Sequence, residues 1–149
     1  MRKIYSDFIS GYTCKGLAHK KLRKPNQDYV FVRSSGGITL ICVADGVGSH
    51  KYSHKGSKQI CRCVFNSLKA LKKGGISEDE LLDGINRSFT KRLLGKYGNK
   101  TATTCIFAGI IGDKLYVGQV ETIARVGKWL PGFALFSIYH PQAINLSSL

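Results

Sequence analysis

The stretch DYVFVRSSGGITLICVADG, Asp28 to Gly46, decides the fold. Its first part, Asp28 to Arg33, is rich in aromatic and β-branched residues and reads as a strand. SSGG is a turn. Ile38 to Ala44 is a continuous apolar run of strand length, the pattern of a strand buried on both faces. Paired as an antiparallel hairpin, the two runs place Asp28, at the start of one strand, beside Asp45, at the end of the other. Taken by itself, Asp45-Gly46 also has the composition of a simple turn.

Outward from this hairpin, the pattern changes from period 2 to period 3.6. Ser53 to Lys72 carries Ile60, Val64, Leu68 and Leu71 at helical spacing, and Gly74-Gly75 ends it. A second helix opens at SEDE, where Ser77 and Glu80 form a capping box, and its apolar face is Leu81, Leu82, Ile85, Phe89 and Leu93. Thr103 to Ile111 and Leu115 to Val120 read as a second hairpin around Gly112-Asp113-Lys114. Before the first hairpin, Tyr5 to Gly16 reads as a strand followed by a loop. The order strand, strand, helix, helix, strand, strand predicts an α+β fold with helices packed on an antiparallel sheet. Beyond Val120 no period is visible, although the tail holds the single Trp and two of the three prolines.

A chain of 149 residues is long enough for one domain with a true core. Its net charge of +14 points to an anionic partner: phosphate groups, nucleic acid or a membrane surface. A solvated basic face, or an acidic part elsewhere in a longer protein, would account for the same number. The basic runs HKKLRK (His19 to Lys24) and HKGSK (His54 to Lys58) lack the interleaved aromatics of a nucleic-acid surface. Five cysteines form no disulfide framework, which points to a reducing, cytoplasmic setting; Cys42 and Cys105 sit in apolar runs as small hydrophobes. Cys61 and Cys63 lie mid-helix without a second ligand pair, so they read as structural and not as a zinc site. His50 and His54 flank the loop after Asp45-Gly46 and read as solvated. Neither the N-terminus nor the stretch WLPGFALFSIY has the length of a signal peptide core or a membrane span.

Four motifs in order carry a family resemblance: RKPNQD (Arg23 to Asp28), VADGVG (Val43 to Gly48), TATT (Thr101 to Thr104) and DKLYVGQV (Asp113 to Val120). Over about Ser10 to Val120 the chain resembles the metal-dependent protein serine/threonine phosphatases of the protein phosphatase 2C type, in a bacterial-like version. The resemblance implies a four-layer α-β-β-α sandwich, present here in part, with a binuclear Mg²⁺ or Mn²⁺ site. It implies that Asp45 bridges the metals, that the Gly46 carbonyl ligates one of them, and that Asp28 holds a metal-bound water. It assigns Arg23 to the substrate phosphate, a task suited to a guanidinium fork. The implied reaction is direct attack of a metal-activated water on a phosphoserine or phosphothreonine protein, without a phosphoenzyme.

The chain also departs from that pattern. Gln27 stands where many members carry Glu, and Val47 stands where some carry a His general acid. The later Asp-Gly and Asp-Asn motifs that complete the metal site are absent. Two divalent ions bring about four positive charges, and Asp28 with Asp45 supplies half the balancing charge. Glu78, Asp79, Glu80 and Asp83 read as helix-start residues instead of ligands. Where the family continues with Gly-Asp-Ser, this chain reads Val120-Glu121-Thr122-Ile123-Ala124. The codons GTG-GAG-ACA-ATA-GCN encode that run, and from the last base of the Val codon they read Gly-Asp-Asn-Ser. The expectation is therefore a phosphatase-like portion over residues 1–120 and a tail over 121–149 that is out of frame. The competing readings are a pseudophosphatase without catalysis and a basic module that binds phosphate or nucleic acid.

Overall fold

The computed structural model describes residues 2–5, 9–97, 100–124 and 144–145. The elements are β1 (Arg2–Tyr5), β2 (Ser10–Thr13), α1 (Leu17–Lys21), β3 (Tyr29–Ser34), β4 (Ile38–Gly46), α2 (Ser53–Lys72), α3 (Leu81–Tyr97), β5 (Thr101–Ile111), β6 (Lys114–Ala124) and β7 (Ile144–Asn145). β3 to β7 form one antiparallel sheet in chain order, and β1 pairs with β2 in a separate two-stranded sheet. The fold is α+β, as the sequence predicts.

The first hairpin turns at Gly36 and Gly37, both at positive φ (62° and 68°), which matches the two-residue turn that follows strand twist. Ser35 and Ile38 exchange backbone hydrogen bonds of 2.9 and 3.3 Å across it. Lys72, the last residue of α2, donates from Nζ to the Gly36 carbonyl at 2.7 Å and fixes the helix end to the hairpin tip.

Alternation along the strands separates two faces. Ile38, Leu40, Cys42 and Ala44 of β4 face α2 and α3 in a core with Cys105 and Phe107 of β5, Ile60, Val64 and Leu68 of α2, and Ile85 and Phe89 of α3. On the opposite face, Val30 is buried, and a Cβ placed on Gly11 of β2 would come within 2.5 Å of its Cγ1. The β1–β2 pair thus lies against β3 on the side away from the helices. Further across that side, Val43, Ile106 and Val117 are exposed, at 52%, 58% and 41%.

The helix ends follow their sequence signals. Gly74, at φ 72°, donates to the Leu71 carbonyl and Gly75 to the Ala70 carbonyl, both at 2.9 Å, which closes α2. Ser77 N–H donates to Glu80 Oε2 at 2.9 Å and Glu80 N–H to Ser77 Oγ at 3.3 Å, the reciprocal bonds of a capping box. The helix itself begins one residue after the box, at Leu81.

Three boundaries differ from the sequence reading. The short helix α1, Leu17–Lys21, follows β2 in a stretch to which the sequence reading assigns no element. β4 continues through Asp45 and Gly46, paired to Thr104 and Thr103, so Asp-Gly ends a strand and makes no turn. β6 runs on to Ala124, paired to Thr101, past the point where the sequence pattern fades. The remaining tail, including WLPGFALFSIY, lies outside the described residues apart from Ile144–Asn145, which pairs with β6. No described helix is long and apolar enough to cross a membrane.

Leu68 is fully buried between α2 and the sheet, so Leu68→Ala should cost about 2–5 kcal/mol of unfolding free energy. Urea denaturation should show this as a lower midpoint with an unchanged slope.

Candidate functional site

The site lies where β3 begins and β4 ends. The pair Tyr29↔Ala44 is the outermost of that ladder, so the next residues outward, Asp28 and Asp45, meet across the strands. The two carboxylates interact directly. Burial and the facing Asp45 carboxylate raise the Asp28 pKa, and the positive charge of His19 partly opposes the rise. The adjacency expected from the hairpin is therefore present.

Gly46 explains why the strand can end here. A Cβ at this position would stand 2.6 Å from the Gln27 carbonyl oxygen and 2.9 Å from Ser53 Cβ. Only glycine admits the chain before β3 and the start of α2 so close to the strand. Ser53 Oγ donates to the Val47 carbonyl at 2.7 Å, and Ser57 Oγ donates to the Gln27 carbonyl at 2.6 Å. The first turns of α2 thus clamp both the Asp-Gly segment and the Asn26-Gln27-Asp28 segment. From the other side, Thr103 Oγ1 donates to the Asp45 carbonyl at 2.8 Å.

Gln27 is buried with its Nε2 donating to the His50 carbonyl at 3.4 Å. Its Oε1 is buried without a hydrogen-bond partner. A buried acceptor left open in this way is what an ordered water would satisfy. Asn26 shapes the approach: its Oδ1 accepts from Asp28 N–H at 3.3 Å, while its Nδ2 donates to Thr13 Oγ1 at 2.9 Å.

Arg23 is exposed and has left-handed backbone (φ 53°), a conformation that non-glycine residues rarely hold. It sits in the turn that ends α1, with its N–H donating to the Lys20 carbonyl at 3.1 Å. His19 in the same turn is close enough to act on Asp28, so α1 belongs to the surroundings of the acids.

Two facing carboxylates at a strand end are oxygen donors of the kind that suits one divalent cation. A second ion would need further carboxylates. Glu78 is engaged with Lys114 Nζ and Tyr116 Oη, each at 2.9 Å, and Glu80 caps α3. Both are structural, as their helix-start positions imply.

His19, Ser57 and Thr103 were not singled out in the sequence. His19 was read as one of a basic run, and Ser57 acts on Gln27 from 30 positions away with no local signal. Thr103 lies in the TATT motif, and its hydroxyl is legible only once β5 is paired with β4.

With this geometry in hand, the comparisons are decisive about family. A model of the protein phosphatase 2C family matches residues 15–121. The chain belongs to the protein phosphatase 2C family. No curated protein matches it. Among solved structures, a Stage II sporulation E family protein from Thermanaerovibrio acidaminovorans is similar at 18% identity with a TM-score of 0.45. The match covers 62% of this chain and 44% of that one, so this phosphatase-family chain spans less than half of that structure.

Replacing Asp45 by Asn removes the facing charge, and the Asp28 pKa should fall toward the ordinary carboxylate range. A raised pKa means that the folded state holds the Asp28 proton more tightly than the unfolded state. Stability is therefore lost as pH rises from the unfolded pKa through the folded one. Asp45→Asn should flatten that loss, as carboxyl carbon NMR titration and pH-dependent urea melts would show.

Proposed function

We propose that the chain is the N-terminal portion of a protein serine/threonine phosphatase that hydrolyses phosphoserine and phosphothreonine in proteins. The observation that carries this reading is the Asp28–Asp45 pair facing across the β3–β4 end, inside the segment matched to the family. Asp45 and the Gly46 carbonyl would hold Mg²⁺ or Mn²⁺. When bound, the ion supplies Lewis-acid activation of water and screens phosphate charge. Asp28 would orient the attacking water through its carboxylate. Arg23 binds the phosphate oxygens, and its neighbours Lys20, Lys21 and Lys24 draw an acidic phosphoprotein toward the site. Five free cysteines support a reducing, cytoplasmic location.

A second reading is favoured by the count of acids. Two carboxylates balance one divalent ion, and a pseudophosphatase that binds a phosphoprotein without turnover needs no second one. Turnover of para-nitrophenyl phosphate with Mn²⁺ separates the two readings. The phosphatase reading expects activity that chelation abolishes and that Asp45→Asn lowers at least ~100-fold, a loss of about 2.7 kcal/mol in transition-state stabilisation. Absence of turnover, with phosphopeptide binding that Arg23→Ala weakens, identifies the pseudophosphatase. A nucleic-acid module would instead bind oligonucleotides without divalent metal and with a steep salt dependence.

We also propose that residues 1–120 are the phosphatase-like portion and that 121–149 are read out of frame. Sequencing the gene from the Gly118 codon onward tests this. A shifted frame should continue with Gly-Asp-Asn-Ser and later Asp-Gly and Asp-Asn; its absence makes the tail genuine.

A further inference from the structure

Cys42, Cys61 and Cys105 come from three different elements, β4, α2 and β5, and converge beneath α2. The sheet register explains part of this. Ala44 pairs with Cys105 and Cys42 with Phe107, so the two strand cysteines are diagonal neighbours on the helix-facing side. Cys61 reaches them from the buried face of α2, and all three residues have no exposed surface. Their three sulfurs lie within 4.8 Å of one another. The sequence reading treats Cys42 and Cys105 as small hydrophobes and Cys61 as structural; the convergence is visible only once the elements are packed.

From this geometry we propose that the three sulfurs form a binding site for a soft monovalent ion, Cu(I), in three-coordinate thiolate geometry. Three sulfurs about 2.3 Å from one ion in a trigonal plane stand about 4 Å apart, inside the 4.8 Å that encloses the three sulfurs here. Soft thiolate ligands favour Cu(I), together with Zn²⁺ and iron–sulfur clusters, over hard cations. Zn²⁺ wants a fourth ligand, and no other His, Cys, Asp or Glu among the described residues joins the cluster.

The three sulfurs also interact with one another. The thiols of Cys42 and Cys61 donate to Cys105 and pull its pKa down to about 5, whereas burial and the neighbouring sulfurs push the Cys42 thiol well up. Cys61 is also raised, chiefly through Cys105. Binding of Cu(I) by three thiolates displaces the remaining thiol protons to solvent, with no electron transferred. The occupied site would tie α2 to the two central strands three residues before Asp45.

The test is anaerobic titration of the reduced chain with Cu(I) held by a chromogenic chelator, with overnight equilibration because the site is occluded. The expected result is one Cu(I) withdrawn per chain, with X-ray absorption showing three sulfur neighbours at about 2.3 Å. Cys61→Ser should lower the stoichiometry from one to none, and Cys14→Ser, on the exposed cysteine, should leave it at one. The proposal is overturned by no uptake, by uptake that survives Cys61→Ser or disappears in Cys14→Ser, or by a shell of two sulfurs. Should Cys61→Ser fail to fold, the sulfur count in the unsubstituted chain decides alone.

Discussion

The crossing at Gly46 is the constraint on which the rest depends. There, the end of β4, the chain entering β3 and the first turn of α2 approach within van der Waals contact. Two serine hydroxyls, from Ser53 and Ser57, bind the carbonyls of Val47 and Gln27, so α2 is fixed to both segments that bear acids. α2 in turn packs on β4 and β5 through Ile60, Val64 and Leu68 and holds the first hairpin by its last lysine. One helix therefore sets the strand ends, the core and the hairpin tip together. A displacement at Gly46 would be felt in all three, because close-packed interiors transmit strain instead of absorbing it.

Electrostatics explains why the acids stand where they do. In a chain with a net charge of +14, two carboxylates forced together are out of keeping with the rest of the surface. The pair costs free energy, which the raised Asp28 pKa records. His19 offsets part of it, but no described side chain forms an ion pair with either carboxylate. Folding alone gives no reason to retain such a repulsion. A divalent ion bound there, as proposed above, would turn the same proximity into attraction.

Much of this was legible in the chain because the decisive signals are local. Gly36-Gly37 specifies the hairpin, the two-residue turn fixes its register, and the register brings Asp28 to Asp45. Likewise, Ser77 and Glu80 announce α3 through bonds spanning three residues. What was not legible depends on packing between distant segments. Asp45-Gly46 looks like a turn until β5 pairs with it, and α1 is too short to show a helical period. The thiol trio spans 63 positions and needs α2 laid over both strands.

The open side of the sheet bears on the site in one more way. Side chains alternate along β4, so Val43 and Asp45 point to the same face, and the register puts Asp28 and Val30 there too. The exposed row of Val43, Ile106 and Val117 therefore runs toward the acids on the side away from the helices. β1 and β2 cover that side only at β3, where Gly11 meets Val30. Any layer that removes Val43 and Ile106 from water must also stand beside Asp28 and Asp45. The apolar face and the carboxylate pair thus share one side of the sheet, and whatever covers the first stands beside the second.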